Sequence, residues 1–440
     1  MRRIWFLCFL LIFLLQLAAG AEEVRMEYFE NGLPLIFKKT EANNILGVVC
    51  MVKTGSAYER VQENGAAGLV QTLLMKGTKN KSAAELALAL EGRGISMNTD
   101  ASEDYVSLSA VATVDQMTEV LELMEEILFE PAFPSEQVEK EKRNASAYIR
   151  LKEDNKFYLT FRNLRQLLFE GHPYALSPDG TPETLSMISR QAILSFHERF
   201  YQPQNMILSV VGNVSYDDLK QNVQKTFGSR ESLPVQIASW NKTISPAHKS
   251  RVIEKNIEQG FVNVGYIGVP MSHRDFPALR VASAVLGEGM SSRLFVHLRD
   301  KQGLAYVVGS MYMNLDRQGA LVGFIGTRPD TIENAARGMR TIISDFDNKP
   351  IPEEELERAK NYVIGKFLIN HQTNLKKAFY LAWFEMLGLG LEYDKKYPDV
   401  IRSVDGADVR RAATKYLQSP CVVKLTPVDQ SDNKKNNNNQ

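Results

Sequence analysis

Between Val114 and Phe129 the apolar residues Met117, Val120, Leu121, Met124 and Leu128 recur at intervals of three and four, the stripe of a helix with one face against a core. The segment 134–153 carries a similar spacing and predicts a second long helix. Upstream the pattern differs. Short apolar runs near 34–39, 46–53, 95–100 and 104–112 predict strands, with two helices filling the interval up to about residue 93. Strands gathered before helices, rather than alternating with them, predict an α+β fold with a largely antiparallel sheet.

The pattern is written twice. PSEQVEKEKRNASAY begins at Pro134 and PEEELERAKNYVIGKF at Pro352, pairing Glu136 with Glu354, Val138 with Leu356, Glu139 with Glu357 and Lys142 with Lys360. Further on, HERFYQPQNMILSVVG and AATKYLQSPCVVKLTP both run from an amphipathic helix through a Tyr and a Pro-containing turn into an apolar strand. Pro203 and Pro420 keep nearly the same offset. In the second copy, strands are predicted near 261–269, 305–313 and 319–326, ahead of helices from Asp330. The chain therefore divides into an N-terminal domain at 24–228, a polar linker at 229–249, a C-terminal domain at 250–428 and a tail at 429–440 without apolar residues, expected to be disordered.

With 440 residues and 44% hydrophobic content the chain is long enough for two sizeable cores. Its 52 basic and 52 acidic residues leave no net charge, and so no electrostatic case for nucleic acid or an anionic membrane as partner. Arg2 and Arg3 precede an apolar run from Ile4 to Leu17 and then Ala19-Gly20-Ala21, the layout of a removable secretory signal over residues 1–21. The competing reading is an uncleaved anchor, for which the run is short against the ~20 residues of a span. Export to a periplasm, or secretion, is the expected localisation. Of the three cysteines, Cys8 leaves with the signal, while Cys50 and Cys421 sit in apolar strands and are expected to be buried thiols. Asn144, Asn213 and Asn241 match glycosylation sequons that matter only in a host that glycosylates.

Residues 54–78, TGSAYERVQENGAAGLVQTLLMKGT, combine a Gly-Ser, an acidic residue, a small-residue helix start and a closing Lys76-Gly77-Thr78. This frame resembles the insulinase, pitrilysin and mitochondrial processing peptidase family of zinc peptidases. There the helix reads His-x-x-Glu-His, with two histidines on one helix face sharing a zinc ion and the glutamate acting as general base. Counting back from Lys76 puts Gly68, Gln71 and Thr72 in those places, and none of them serves. The family's third ligand, a glutamate in the long helix after a Pro, falls on Ala147, Tyr148 or Ile149, again without a carboxylate. No zinc site of the family's type is expected in this chain, and the six histidines, none within five residues of another, form no local metal motif.

The resemblance extends over nearly all of 24–428, through His172 to Tyr174, FHERFYQPQNMILSVVGNV from Phe196 and GEGMSSRLFVHLRDKQGLAY from Gly287. It implies tandem α+β domains that form half of a clamshell chamber. It also makes Arg299 and Tyr306 the match to an Arg and Tyr pair that stabilises the oxyanion of peptide hydrolysis. From the residues alone, Arg299 pairing with Asp300 and Tyr306 filling a sheet face is the alternative. Gly287 and Gly289 are candidates for a loop that lets a substrate backbone approach, or else a turn beside a helix. The strand near Ser96 to Asp100 matches an edge to which substrate adds as an extra strand in active relatives, or else completes the chamber wall. The resemblance thus implies a non-catalytic subunit of a heterodimeric exported zinc metallopeptidase, holding no cofactor itself and acting on peptides or unfolded polypeptides with a zinc-bearing partner. The alternative is a protease-derived scaffold or peptide-binding protein, as in the core subunits of the respiratory cytochrome complex.

Overall fold

The computed structural model describes residues 24–236, 244 and 248–428. The expected signal at 1–21, the tail at 429–440, and residues 237–243 and 245–247 of the expected linker lie outside the described residues. One six-stranded sheet is built from β1 (Val24–Tyr28), β2 (Pro34–Lys39), β3 (Ile45–Val52), β4 (Ser96–Ala101), β5 (Val106–Thr113) and β6 (Met206–Gly212) in the order β1-β2-β6-β3-β5-β4. A second sheet is built from β7 (Lys249–Lys255), β8 (Gly260–Ile267), β9 (Val307–Asn314), β10 (Gly319–Thr327) and β11 (Cys421–Pro427) in the order β7-β11-β8-β10-β9. With β1 set aside the two orders are the same, so the duplication read from the chain is a duplication of topology. Each sheet is mixed rather than wholly antiparallel, because β2 runs parallel to β6 and β7 parallel to β11. The last strand of each half returns to the middle of its sheet over long helical connections, which removes the hairpin constraint that would force antiparallel pairing.

The long helices fall where the periodicity puts them, at Met117–Phe129 and Ser135–Lys152, with counterparts at Ile332–Asn348 and Glu353–Asn370. Met117, Val120, Leu121, Met124 and Leu128 are all buried. Other helices do something the pattern does not reveal. Lys156–Leu168 belongs to the first half but packs on β8 and β11 of the second sheet, and Asn374–Met386 of the second half packs on β3 and β6 of the first. Each sheet thus has one face covered by its own helices and the other by a helix from its twin. This explains why ILGVVCMV in β3 is apolar throughout and buried from Leu46 to Val52.

Glycine makes the exchange possible. A Cβ on Gly47 would stand 2.4 to 2.7 Å from backbone atoms of Asn374 and Leu375, and one on Gly265 would stand 2.8 and 2.9 Å from methyl groups of Leu168 and Leu164. Asn374 then uses its side-chain amide to donate to the carbonyl of Ile45 at 2.7 Å. Cys50 and Cys421 are both buried and neither forms a disulfide. No described helix is long and apolar enough to cross a membrane.

A buried polar junction also joins the halves. Asp104, at the turn between β4 and β5, accepts from Tyr174 Oη at 2.7 Å and from the backbone N–H of Asp316, between β9 and β10, at 2.9 Å. The N–H of Arg317 donates to Tyr174 Oη at 3.1 Å, and Lys53 Nζ lies 3.7 Å from the Asp316 carboxylate. Burial outweighs these bonds and pushes the Asp104 carboxyl up to about 7.

Gly47→Ala is expected to cost about 2–4 kcal/mol in denaturant unfolding, and more than Gly265→Ala, because backbone cannot yield where leucine methyls can. Asp104 is protonated in the fold at pH values where the unfolded chain has lost that proton, so its contribution is present below about pH 4 and lost as pH rises toward 7. Asp104→Asn should therefore flatten the fall of melting temperature across that window, leaving the part contributed by Glu59, which burial also raises to about 7. An unchanged slope in thermal scans would contradict the assignment.

Candidate functional site

The helix that replaces the zinc-binding one spans Ala66–Leu74. Its start is set by Glu59, whose buried carboxylate accepts from the N–H groups of Gly65 at 2.9 Å and Ala67 at 2.7 Å and from Asn64 Nδ2 at 2.8 Å. Donors at a helix N-terminus favour a carboxylate, yet full burial prevails and raises its pKa. Gly65, at φ 102°, supplies the left-handed residue that turns the chain into the helix. Ala66, Ala67, Leu69, Val70, Leu73 and Leu74 face the core. Gly68, Gln71 and Thr72 lie on the opposite face and line a cavity of about 500 Å³.

Each of the three positions is occupied by a residue bonded for other ends. Thr72 Oγ1 donates to the Gly68 carbonyl at 3.0 Å, within its own helix. Gln71, in the general-base position, donates through Nε2 to the carbonyl of Thr99 at 2.9 Å and to its hydroxyl at 2.6 Å. It thereby ties the helix to the edge strand β4. Gly68 leaves room for the carbonyl of Pro178, which would be 3.3 Å from a Cβ there.

Of the positions considered for the third ligand, Tyr148 lines the cavity, whereas Ile149 is fully buried in the core and Ala147 is exposed away from it. Helical spacing brings Glu141 and Asn144 to the same wall, a grouping that counting toward a single ligand position does not find. Reading back from Tyr148 by four and seven residues would have found it. The carboxylates around the cavity do not converge on a cation. Glu141 lies 3.1 Å from Lys76 Nζ and accepts from Asn144 Nδ2 at 3.2 Å. Asp179 is held by Lys152 at 3.1 and 3.2 Å and by Tyr158 Oη at 2.9 Å. Among the described residues no group of three or more His, Cys, Asp or Glu could hold a metal ion. The donor set of Gly68, Gln71, Thr72 and Tyr148 does not fit zinc.

The histidines have other surroundings. His197 Nε2 lies 2.7 Å from the carbonyl of Leu128, and burial lowers its pKa to about 4. His172 Nδ1 accepts from the N–H of Tyr174 at 3.1 Å, and His371 bridges the Phe367 carbonyl and the Asp394 carboxylate at 2.7 Å each.

Arg299 and Tyr306 lie in the second half and neither lines the cavity. Arg299 sits in a π-helical turn, Phe295–Asp300, with its guanidinium 5.0 Å from the centroid of Phe295. Tyr306 is 54% exposed, and its backbone N–H donates to the Gly326 carbonyl at 2.9 Å. No ion pair joins Arg299 to Asp300 among the described residues. Gly287 ends the helix Phe276–Gly287, where a Cβ would stand 2.3 Å from the backbone nitrogen of Ser310, so close packing against β9 accounts for it. Gly289 takes φ 94° beside Tyr362. Between them Glu288 forms a buried ion pair with Arg280.

The comparisons agree with this architecture. The profile described as insulinase (peptidase family M16) matches residues 36–180, and that described as peptidase M16 inactive domain matches 187–363. The chain belongs to the insulinase family, as a member without the His-x-x-Glu-His motif. It is 24% identical over 382 residues to the uncharacterised zinc protease YmxG of Bacillus subtilis, covering 87% of this chain and 92% of that one. It is 24% identical over 411 residues to an uncharacterised zinc protease of Rickettsia felis, covering 90% and 96%. In fold it is similar to a protease from Helicobacter pylori, with TM-score 0.85, 23% identity, and 93% and 100% coverage. It is also similar to a peptidase M16 inactive domain from Pseudomonas fluorescens, with TM-score 0.86, 21% identity, and 92% and 98% coverage.

Gln71→Glu tests the strap between helix and edge strand. It sets a carboxylate against the Thr99 carbonyl, so a loss of about 1–2 kcal/mol in unfolding free energy is expected, with no gain of peptidase activity. Equal stability of the two proteins would show that the bond contributes nothing.

Proposed function

We propose that this chain is the non-catalytic subunit of an exported heterodimeric zinc metallopeptidase. It supplies chamber wall and peptide contacts, and presents Arg299 and Tyr306 to a zinc site held by a homologous partner. The observation that carries this reading is a mismatch within one chain. The zinc positions hold Gly68, Gln71 and Thr72, while the Arg and Tyr side chains, suited to a developing oxyanion, are exposed and do not line the chain's own cavity. Export rests on residues 1–21, and the zinc belongs to the partner. Gly289 is assigned to the substrate-facing loop of this subunit, with Gly287, packed against β9, fixing the start of that loop. Peptides or unfolded segments small enough to enter a closed chamber are the substrate class.

A second reading keeps peptide binding and drops hydrolysis, and the polar lining of Gln71, Thr72 and Asn144 beside the edge strand β4 favours it. Purification from the native host with any bound partner, followed by peptidase assays of each chain and of the mixture, separates the two. Activity only in the mixture is expected, and Arg299→Ala should lower it about 10²–10³-fold, the usual loss when an oxyanion donor is removed. A full rate with Arg299→Ala rejects the role in trans. Hydrolysis and stoichiometric zinc in this chain alone reject the whole reading.

A further inference from the structure

We propose that Thr327 is a positioning residue for the segment that carries Arg299 and Tyr306, an inference that rests on the reading of that pair as acting in a partner's site. The segment is exposed where it matters. Residues 301–303 form an open tip, and Gly303, at φ 60°, has nothing within 4 Å of where its Cβ would be. Arg299 touches the Phe295 ring and has no ion pair among the described residues, so side-chain packing does little to fix the pair. Its geometry has to come from the backbone.

That backbone is closed on itself and then tied to the sheet. The N–H groups of Lys301, Gly303 and Leu304 donate to the carbonyls of Val296 at 3.0 Å, Arg299 at 3.1 Å and Leu298 at 2.8 Å. Two bonds connect this knot to the end of β10. The N–H of Tyr306 donates to the Gly326 carbonyl at 2.9 Å, and the hydroxyl of Thr327 donates to the Leu304 carbonyl at 2.5 Å. The first is a main-chain bond, one residue out of the register in which Val307 faces Gly326. The second needs a side chain, and only a residue with a hydroxyl at this place supplies it.

Thr327 is fully buried and stands opposite Gly260 of β8, a place where valine has the same shape and no polar atom to satisfy. Its hydroxyl also lies 2.7 Å from that of Thr331, which lies 3.0 Å from the Arg328 carbonyl. Thr331 has one proton of its own, with the Arg328 carbonyl and the Thr327 oxygen as its two acceptors, so the proton of Thr327 goes to Leu304. Thr331→Val therefore removes a buried hydroxyl next door while leaving the tether intact, and serves as control.

The test uses the full chain, alone and reconstituted with its partner. Thr327→Val should lower kcat of the pair about tenfold, as expected when donors drift by a fraction of an ångström, with KM changed by less than about twofold. Thr327→Ser should restore it and Thr331→Val should leave it near wild type. In the isolated chain, 3-fluorotyrosine placed at position 306 should show a shifted or broadened fluorine resonance with Thr327→Val and an unchanged one with Thr331→Val. The proposal is overturned if the two valine variants have the same effect on kcat and on the resonance. The fluorine readout needs neither partner nor hydrolysis. A full rate with Arg299→Ala would sink the function in trans, while the resonance would still decide whether Thr327 holds the segment.

Discussion

Everything in this molecule depends on the exchange of helices between its two halves. Gly47 near the start of β3 and Gly265 near the end of β8 lie on the central strands of the two sheets, and each lets the helix from the other half come close. Without that approach, Val49 in β3 and its neighbours Ile36 and Val211 would face water, and no helix of the first half stands ready to cover them. Two domains joined by a linker normally have relative freedom. Here the cores are shared, with Ile267, Val322 and Val423 of the second sheet buried in the same cluster as Leu46 and Leu108 of the first. The junction at Asp104 adds a polar lock to that apolar one.

This rigidity bears on the site. A chain whose halves are fixed relative to one another holds its cavity at Gln71 and its exposed Arg299 and Tyr306 in a constant relation. The degenerate helix remains well formed because Glu59, Gly65 and the buried alanine and leucine face maintain it, and none of these needs zinc. The helix keeps its architecture without a zinc ligand at Gly68, Gln71 or Thr72. Gln71 has a structural use, bonding the edge strand through donors that a glutamate lacks.

How much of this could be read from the chain varies by feature. The buried stripe of Met117 to Leu128, the paired motifs at Pro134 and Pro352, and the missing ligands at Gly68, Gln71 and Thr72 were all plain, because each rests on local periodicity or on counting residues. The strands β1 and β7 escaped notice, since VRMEY and KSRVIEK are short and largely polar, as edge strands tend to be. Glu141 and Asn144 at the cavity are not legible from a single ligand position, because they belong to the helix face around it.

The sequence by itself determined that the chain is a duplicated α+β protein of the insulinase family with no zinc ligand where the family keeps them, for those are properties of residue type, spacing and order. Only the tertiary structure decided which helix covers which sheet, that Gly47 and Gly265 are packing residues rather than turns, and that Asp104 is buried between the halves with a raised pKa. It alone also turned Thr327 from an ordinary strand residue into an anchor for the Arg299 segment. The physical reason is range. Periodicity and motifs are short-range properties carried by neighbours in the chain, whereas burial, close approach and hydrogen bonds across hundreds of residues exist only once the chain has closed on itself.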